Sequence, residues 1–111
     1  MRVTKDGDFF RGSHISGPMH NFLRMRVRPA HNGDFDVRVL PPVGSCSHGN
    51  SIDANEARDW ISVGVGHAND ELATSYGIIE AEVVANDSRR PEVYAELARR
   101  IILAAHQEAG A

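Results

Sequence analysis

Residues 21–28 read Asn-Phe-Leu-Arg-Met-Arg-Val-Arg, and residues 34–40 read Asp-Phe-Asp-Val-Arg-Val-Leu. Successive side chains on a β-strand point to opposite faces, so period-two alternation marks a strand with one face in a core and one in water. Leu23, Met25 and Val27 share one face of the first run, and Arg24, Arg26 and Arg28 share the other. In the second run Phe35, Val37 and Val39 point inward, and Asp34, Asp36 and Arg38 point outward. Pro29-Ala30-His31-Asn32-Gly33 lies between them, and its Asn-Gly favours the positive φ of a tight turn. The two runs are expected to pair as an antiparallel hairpin.

More strands are expected on either side. Met1 to Lys5 and Phe9 to Ile15 suit a hairpin turned at Asp6-Gly7. Pro41-Pro42 ends the 34–40 strand, because proline donates no ladder hydrogen bond. Ile52 to Arg58 suits one helical turn capped by Asp53. Trp60 to Gly66 and Tyr76 to Ala85 alternate again, with Ile61, Val63 and Val65 on one face and Ile79, Ala81 and Val83 joining it. Residues 67–73 make the connection.

The last element is helical. Tyr94, Leu97, Ala98, Ile101 and Ala105 follow helical spacing, Asn86-Asp87-Ser88 supplies cap residues, and Pro91 suits a first turn. The expected fold is therefore α+β: an antiparallel sheet of about five to six strands, its apolar face covered by one C-terminal helix. The 111 residues fit one domain, residues 1–111.

Bulk properties narrow the function. The formal charge is −3, with 12 Lys and Arg against 15 Asp and Glu, so the chain lacks the basic footprint of nucleic-acid or anionic-membrane binding. No apolar run reaches the ~18–20 residues that span a bilayer. The N-terminus turns polar at once and shows no signal peptide, and the single cysteine, Cys46, has no partner for an internal disulfide. A cytoplasmic protein is expected.

Three candidate sites emerge. Arg24, Arg26 and Arg28 form a stripe that Arg38 extends, a surface for an anion or an acidic partner. Asp34 and Asp36, or Glu80 and Glu82 from a neighbouring strand, offer it internal counter-charges. On an exposed stripe, Arg24→Glu with Arg26→Glu is expected to abolish partner capture at little cost in stability. Six histidines is a high share, and His14, His20, Cys46, His48 and His67 form a possible zinc set drawn from turns and strand ends. Cys46-Ser47-His48 is nevertheless not a standard zinc spacing, and no other cofactor is expected. Trp60, Gly64 and Gly66 suggest a ligand cleft, since glycine inside a strand marks a bulge or the close approach of another group.

No nucleophile elbow or dinucleotide-binding glycine motif is present. The size, acidity and layout are similar to those of immunity proteins and other small partner-binding proteins, a likeness of class and not of motif. The expectation is a non-enzymatic protein that docks on a macromolecular partner, most naturally a protein. The alternatives are a small metal-dependent enzyme or metal sensor using the His/Cys set, and a structural subunit of a larger assembly. A homo-oligomer is possible through an edge strand such as Met1 to Lys5.

Overall fold

In a computed structural model that describes residues 1–17, 19–30, 34–41, 52–85 and 87–110, the expected first hairpin is present. Strands β1 (Arg2–Asp6) and β2 (Phe9–Ser16) pair antiparallel, and because Asp6 pairs with Phe9 the turn is Gly7-Asp8, one residue later than the expected Asp6-Gly7, with a φ of 62° at Gly7 that suits glycine. β3 (Met19–Arg28) continues the meander, antiparallel to β2. β4 (Asp36–Leu40), helix α1 (Ala54–Leu72), β5 (Gly77–Val84) and helix α2 (Pro91–Glu108) follow.

The sheet order is β1-β2-β3-β5-β4. This corrects the hairpin expected between residues 21–28 and 34–40. β3 and β4 are both strands, but β5 lies between them, antiparallel to β3 and parallel to β4. Alternation in the two runs requires only that each bury one face, and it does not choose a neighbour. β5 is buried along most of its length, at Ile78, Ala81, Glu82, Val83 and Val84, which suits a strand flanked on both sides. The Asn-Gly turn itself, at residues 32–33, lies outside the described residues. The result is a mixed five-stranded sheet with helices packed on it, one of them near the C-terminus.

Parallel β4 and β5 need a connection that runs back along the sheet, and α1 is that crossover. Asp53 caps α1 as expected, its Oδ2 accepting from the Glu56 amide at 3.1 Å. The helix then runs on through the stretch expected to be a strand. The strand reading of Trp60 to Gly66 is thus overturned, and the reason lies in which residues are buried. Ala57, Ile61, Gly64, Val65 and Ala68 line one side of α1, at helical spacing. Val63, which an alternating strand would place beside Ile61 and Val65, is 51% exposed.

α2 starts at Pro91 as expected, but its N-cap position is Arg90, which makes no side-chain cap bond. Asp87 and Ser88, expected as caps, are used elsewhere. Both helices cover the same face of the sheet: α1 packs on α2 and β4, and α2 crosses β1, β2 and β3. Between helices and sheet lie Leu23, Met25, Ile61, Val83, Tyr94, Leu97, Ile101 and Ile102, all with no exposed surface. Each such aliphatic side chain contributes about 1.5–3 kcal/mol through burial. A register shift between Arg26 and Val27 brings Ile78, and not the expected Ile79, into line with this core. Among the described residues, no helix is long and apolar enough to cross a membrane.

Candidate functional site

With both helices on one side, the opposite face of the sheet has no helix over it among the described residues. Strand alternation and register place Arg11 of β2, Arg24, Arg26 and Arg28 of β3, Glu80 and Glu82 of β5, and Asp36 and Arg38 of β4 on that face. The four arginines of the stripe therefore share one face, and the carboxylates that answer them come from β5 and, at Asp6, from β1. Arg24 Nη1 donates to Glu82 Oε1 at 2.7 Å, and its Nε donates to Asp6 Oδ2 at 2.9 Å. Its guanidinium carbon lies 3.7 Å from the centroid of the Phe9 ring. These partners, Glu82 first, hold Arg24 above the ordinary arginine range. Arg26 pairs with Glu80 at 3.1 Å, and Arg38 approaches Glu82 at 3.6 Å. Asp34 pairs instead with Arg58 of α1. Among the described residues, Arg11 and Arg28 are exposed and stand in no ion pair.

Towards the other end of β3 the same face becomes apolar. Ile15, Phe22, Leu40 and Val84 of that face, joined by Met19 from the start of β3, line a recess of about 550 Å³, with His20 and Asp87 as its polar side chains among the described residues. Ile15 is 76% exposed, although it is one of the larger aliphatic side chains. The two polar residues are joined: His20 Nδ1 lies 3.0 Å from Asp87 Oδ1. Asp87 itself is buried, and its Oδ2 accepts from the Phe22 amide at 2.7 Å and from the Tyr94 hydroxyl at 2.8 Å. Burial pushes the Asp87 carboxyl above its ordinary range, against the pull of these donors. Burial, and then the Asp87 charge, hold the Tyr94 hydroxyl far above the tyrosine range, so it stays protonated and donates.

The backbone fixes this group. The Ser88 amide donates to the His20 carbonyl at 3.1 Å, and Asn21 Nδ2 donates to the Ser88 carbonyl at 2.6 Å. The segment after β5 is thereby tied to the start of β3, and α2 supplies Tyr94 from beneath.

The zinc candidates are dispersed as far as they are described. His14 is opposite Asn21 in the β2–β3 register and His20 is opposite Ile15, so His14 and His20 point to opposite sides of the sheet. His67 is exposed on α1. Cys46 and His48 lie outside the described residues. Among the described residues, no group of three or more His, Cys, Asp or Glu is placed to hold a metal ion.

The expected cleft at Trp60, Gly64 and Gly66 assumed a strand, and α1 replaces it. Trp60 stacks on Tyr94 with ring centroids 5.6 Å apart. Gly64 faces the backbone of α2, and Gly66 is exposed on the outer side of α1.

His20 was visible in the sequence only as a metal candidate, Asp87 only as a cap, and Tyr94 only as a core residue. Their convergence depends on strand order. The available signal was an aspartate seven residues before an apolar helical tyrosine, which is ambiguous without the β3–β5 pairing. No protein-family model matches this chain, and no curated protein or solved structure matches it either.

Proposed function

We propose that this is a non-enzymatic binding protein that docks on a protein partner through the helix-free face of its sheet, in the regulatory or immunity-protein manner. The supporting observation is the placement of both helices on the other face, which leaves a broad surface with Arg11, Arg28 and Arg38 projecting from it. The side chain of Arg38 is 71% exposed. Arginine forks of this kind match the carboxylates of an acidic protein surface. A nucleic acid fits less well, because Asp6, Asp36, Glu80 and Glu82 are interleaved with the arginines on the same face.

The double variant Arg24→Glu with Arg26→Glu is a poor test, since both residues hold neighbouring strands together. Arg28→Glu with Arg38→Glu is the appropriate one. Immobilised wild-type chain is expected to retain a defined protein from extracts of its source cells. The double variant is expected to lose that protein while keeping its melting temperature within a few degrees. An unchanged set of retained proteins from the variant removes this surface as the contact.

A further inference from the structure

The arginine grid leaves the apolar end of the same face unexplained. Folded proteins expose single aliphatic side chains without consequence, but here Ile15 and Met19, 76% and 40% exposed, rim one recess together with Phe22, Leu40 and Val84. A recess of about 550 Å³ is within the range of small-molecule sites, which are mostly apolar with a few oriented polar groups. One imidazole, His20, supplies that orientation.

The chemistry of that imidazole is set by its partner. Asp87 Oδ2 accepts from Phe22 N and from the Tyr94 hydroxyl, and His20 Nδ1 lies 3.0 Å from Oδ1, an oxygen that in the ionised carboxylate has no proton to give and can only accept from the ring. With Asp87 an acceptor, the proton of a neutral His20 ring lies on Nδ1, and Nε2 carries the lone pair. Nε2 is then the one ring nitrogen with no protein partner among the described residues. The side chain is 43% exposed, whereas that of Asp87 is 1% exposed. The pair thus presents one hydrogen-bond acceptor at an apolar wall, held in one tautomer by a buried carboxylate.

We propose that this recess is a binding site for a small, largely apolar molecule bearing one hydroxyl of phenol or alcohol type, whose O–H donates to His20 Nε2. Asp87 is a positioning residue, and Ile15, Met19, Phe22, Leu40 and Val84 supply the apolar contact. A carboxylate ligand fits less well, because it has no proton to give to Nε2 and the buried Asp87 carboxylate stands behind the ring. The site is distinct from the arginine surface proposed for a protein partner and does not depend on that proposal.

The test uses an isosteric pair, 2-naphthol and 2-methylnaphthalene, titrated at pH 8 into the full chain and followed by the methyl resonances of Ile15 and Met19. Both probes are expected to shift these methyls saturably. 2-Naphthol should bind about five- to tenfold more tightly, the contribution of one hydrogen bond. It alone should move the His20 Nε2 nitrogen resonance. His20→Leu should bring the two affinities to within about twofold of each other by weakening 2-naphthol only, and the nitrogen resonance tests the same bond in the wild type should that variant fail to fold. The proposal is overturned if neither probe saturates, if the probes bind equally to the wild-type chain, or if the Nε2 resonance ignores 2-naphthol.

Discussion

Gly64 of α1 sits against the carbonyl of Ala95 in α2 so closely that a Cβ at Gly64 would lie 1.9 Å from that oxygen. The helix crossing is built on this absence of a side chain. Gly64→Ala therefore forces the helices apart and is expected to cost about 3 kcal/mol, or more if α2 lifts from the sheet. Gly66, two residues on, has nothing within 4 Å of its notional Cβ. Gly66→Ala is expected to stabilise the protein by about 0.5–1 kcal/mol, through helix propensity alone. Urea denaturation of both variants checks the pair, and equal effects would show that the helices do not meet at Gly64.

That contact shows which parts of the fold were legible in the sequence. Glycine at position 64 did mark the close approach of another group, but the approaching group is a helix and the glycine stands in a helix. Ile61, Val63 and Val65 fit a period of two, while Ala57, Ile61, Gly64, Val65 and Ala68 fit a helix. Small residues carry so little hydrophobic signal that the wrong period won. The 21–28 and 34–40 runs were correctly read as strands, since alternation is local information. Their separation by β5 was not legible, because neighbour choice depends on residues some forty positions away. The His20–Asp87 pair was hidden for the same reason.

Arg24 is a structural residue as much as a surface one. It bridges Asp6 of β1 and Glu82 of β5, and Glu82 is only 8% exposed. Arg24→Ala leaves that carboxylate with the more distant Arg38 and is expected to cost about 1–3 kcal/mol. Arg38→Ala removes a longer contact to Glu82, at 3.6 Å, made by a side chain that is itself 71% exposed, and should cost at most about 0.5 kcal/mol. A shift of about 4–8 °C in melting temperature per kcal/mol for a domain of this size makes the difference easy to resolve. Similar melting temperatures for the two variants would contradict the bridge.

Asp87 predicts a pH dependence opposite to that of a salt-bridged carboxylate. Its native pKa is raised above the ordinary 3.8, so between 3.8 and the native value the folded chain holds a proton that the unfolded chain has released. Its contribution to stability is greatest below 3.8, falls as pH rises through the native pKa, and is level above it. Asp87→Asn lacks this titration and is less stable, because its one amide oxygen can replace Oδ2 as acceptor for the Phe22 amide and the Tyr94 hydroxyl, but its NH2 then stands where Oδ1 faced His20 Nδ1. The stability gap between wild type and Asp87→Asn should narrow as pH rises from 3 to 5.5. Urea midpoints across that range measure it, and a widening gap would mean that burial does not dominate at Asp87.

Asn69 closes the α1–β5 connection with both ends of its amide. Oδ1 accepts from the Tyr76 amide and from the Thr74 hydroxyl, each at 2.9 Å, and Nδ2 donates to the Tyr76 carbonyl at 2.9 Å. Its own carbonyl accepts from Ala73, where the chain turns left-handed at φ 53°, and from Thr74. Asn69→Ala leaves both polar groups of the Tyr76 backbone without this partner, and is expected to cost about 2 kcal/mol. Asn69→Asp separates the two ends: it keeps the acceptor but sets a second oxygen against the Tyr76 carbonyl. The new carboxyl should then be held above its ordinary pKa, because only its protonated form can donate there. The Asn69→Asp deficit should shrink as pH falls below about 5, whereas the Asn69→Ala deficit stays constant. Parallel pH profiles for the two variants would show that the Nδ2 donation adds nothing to the connection.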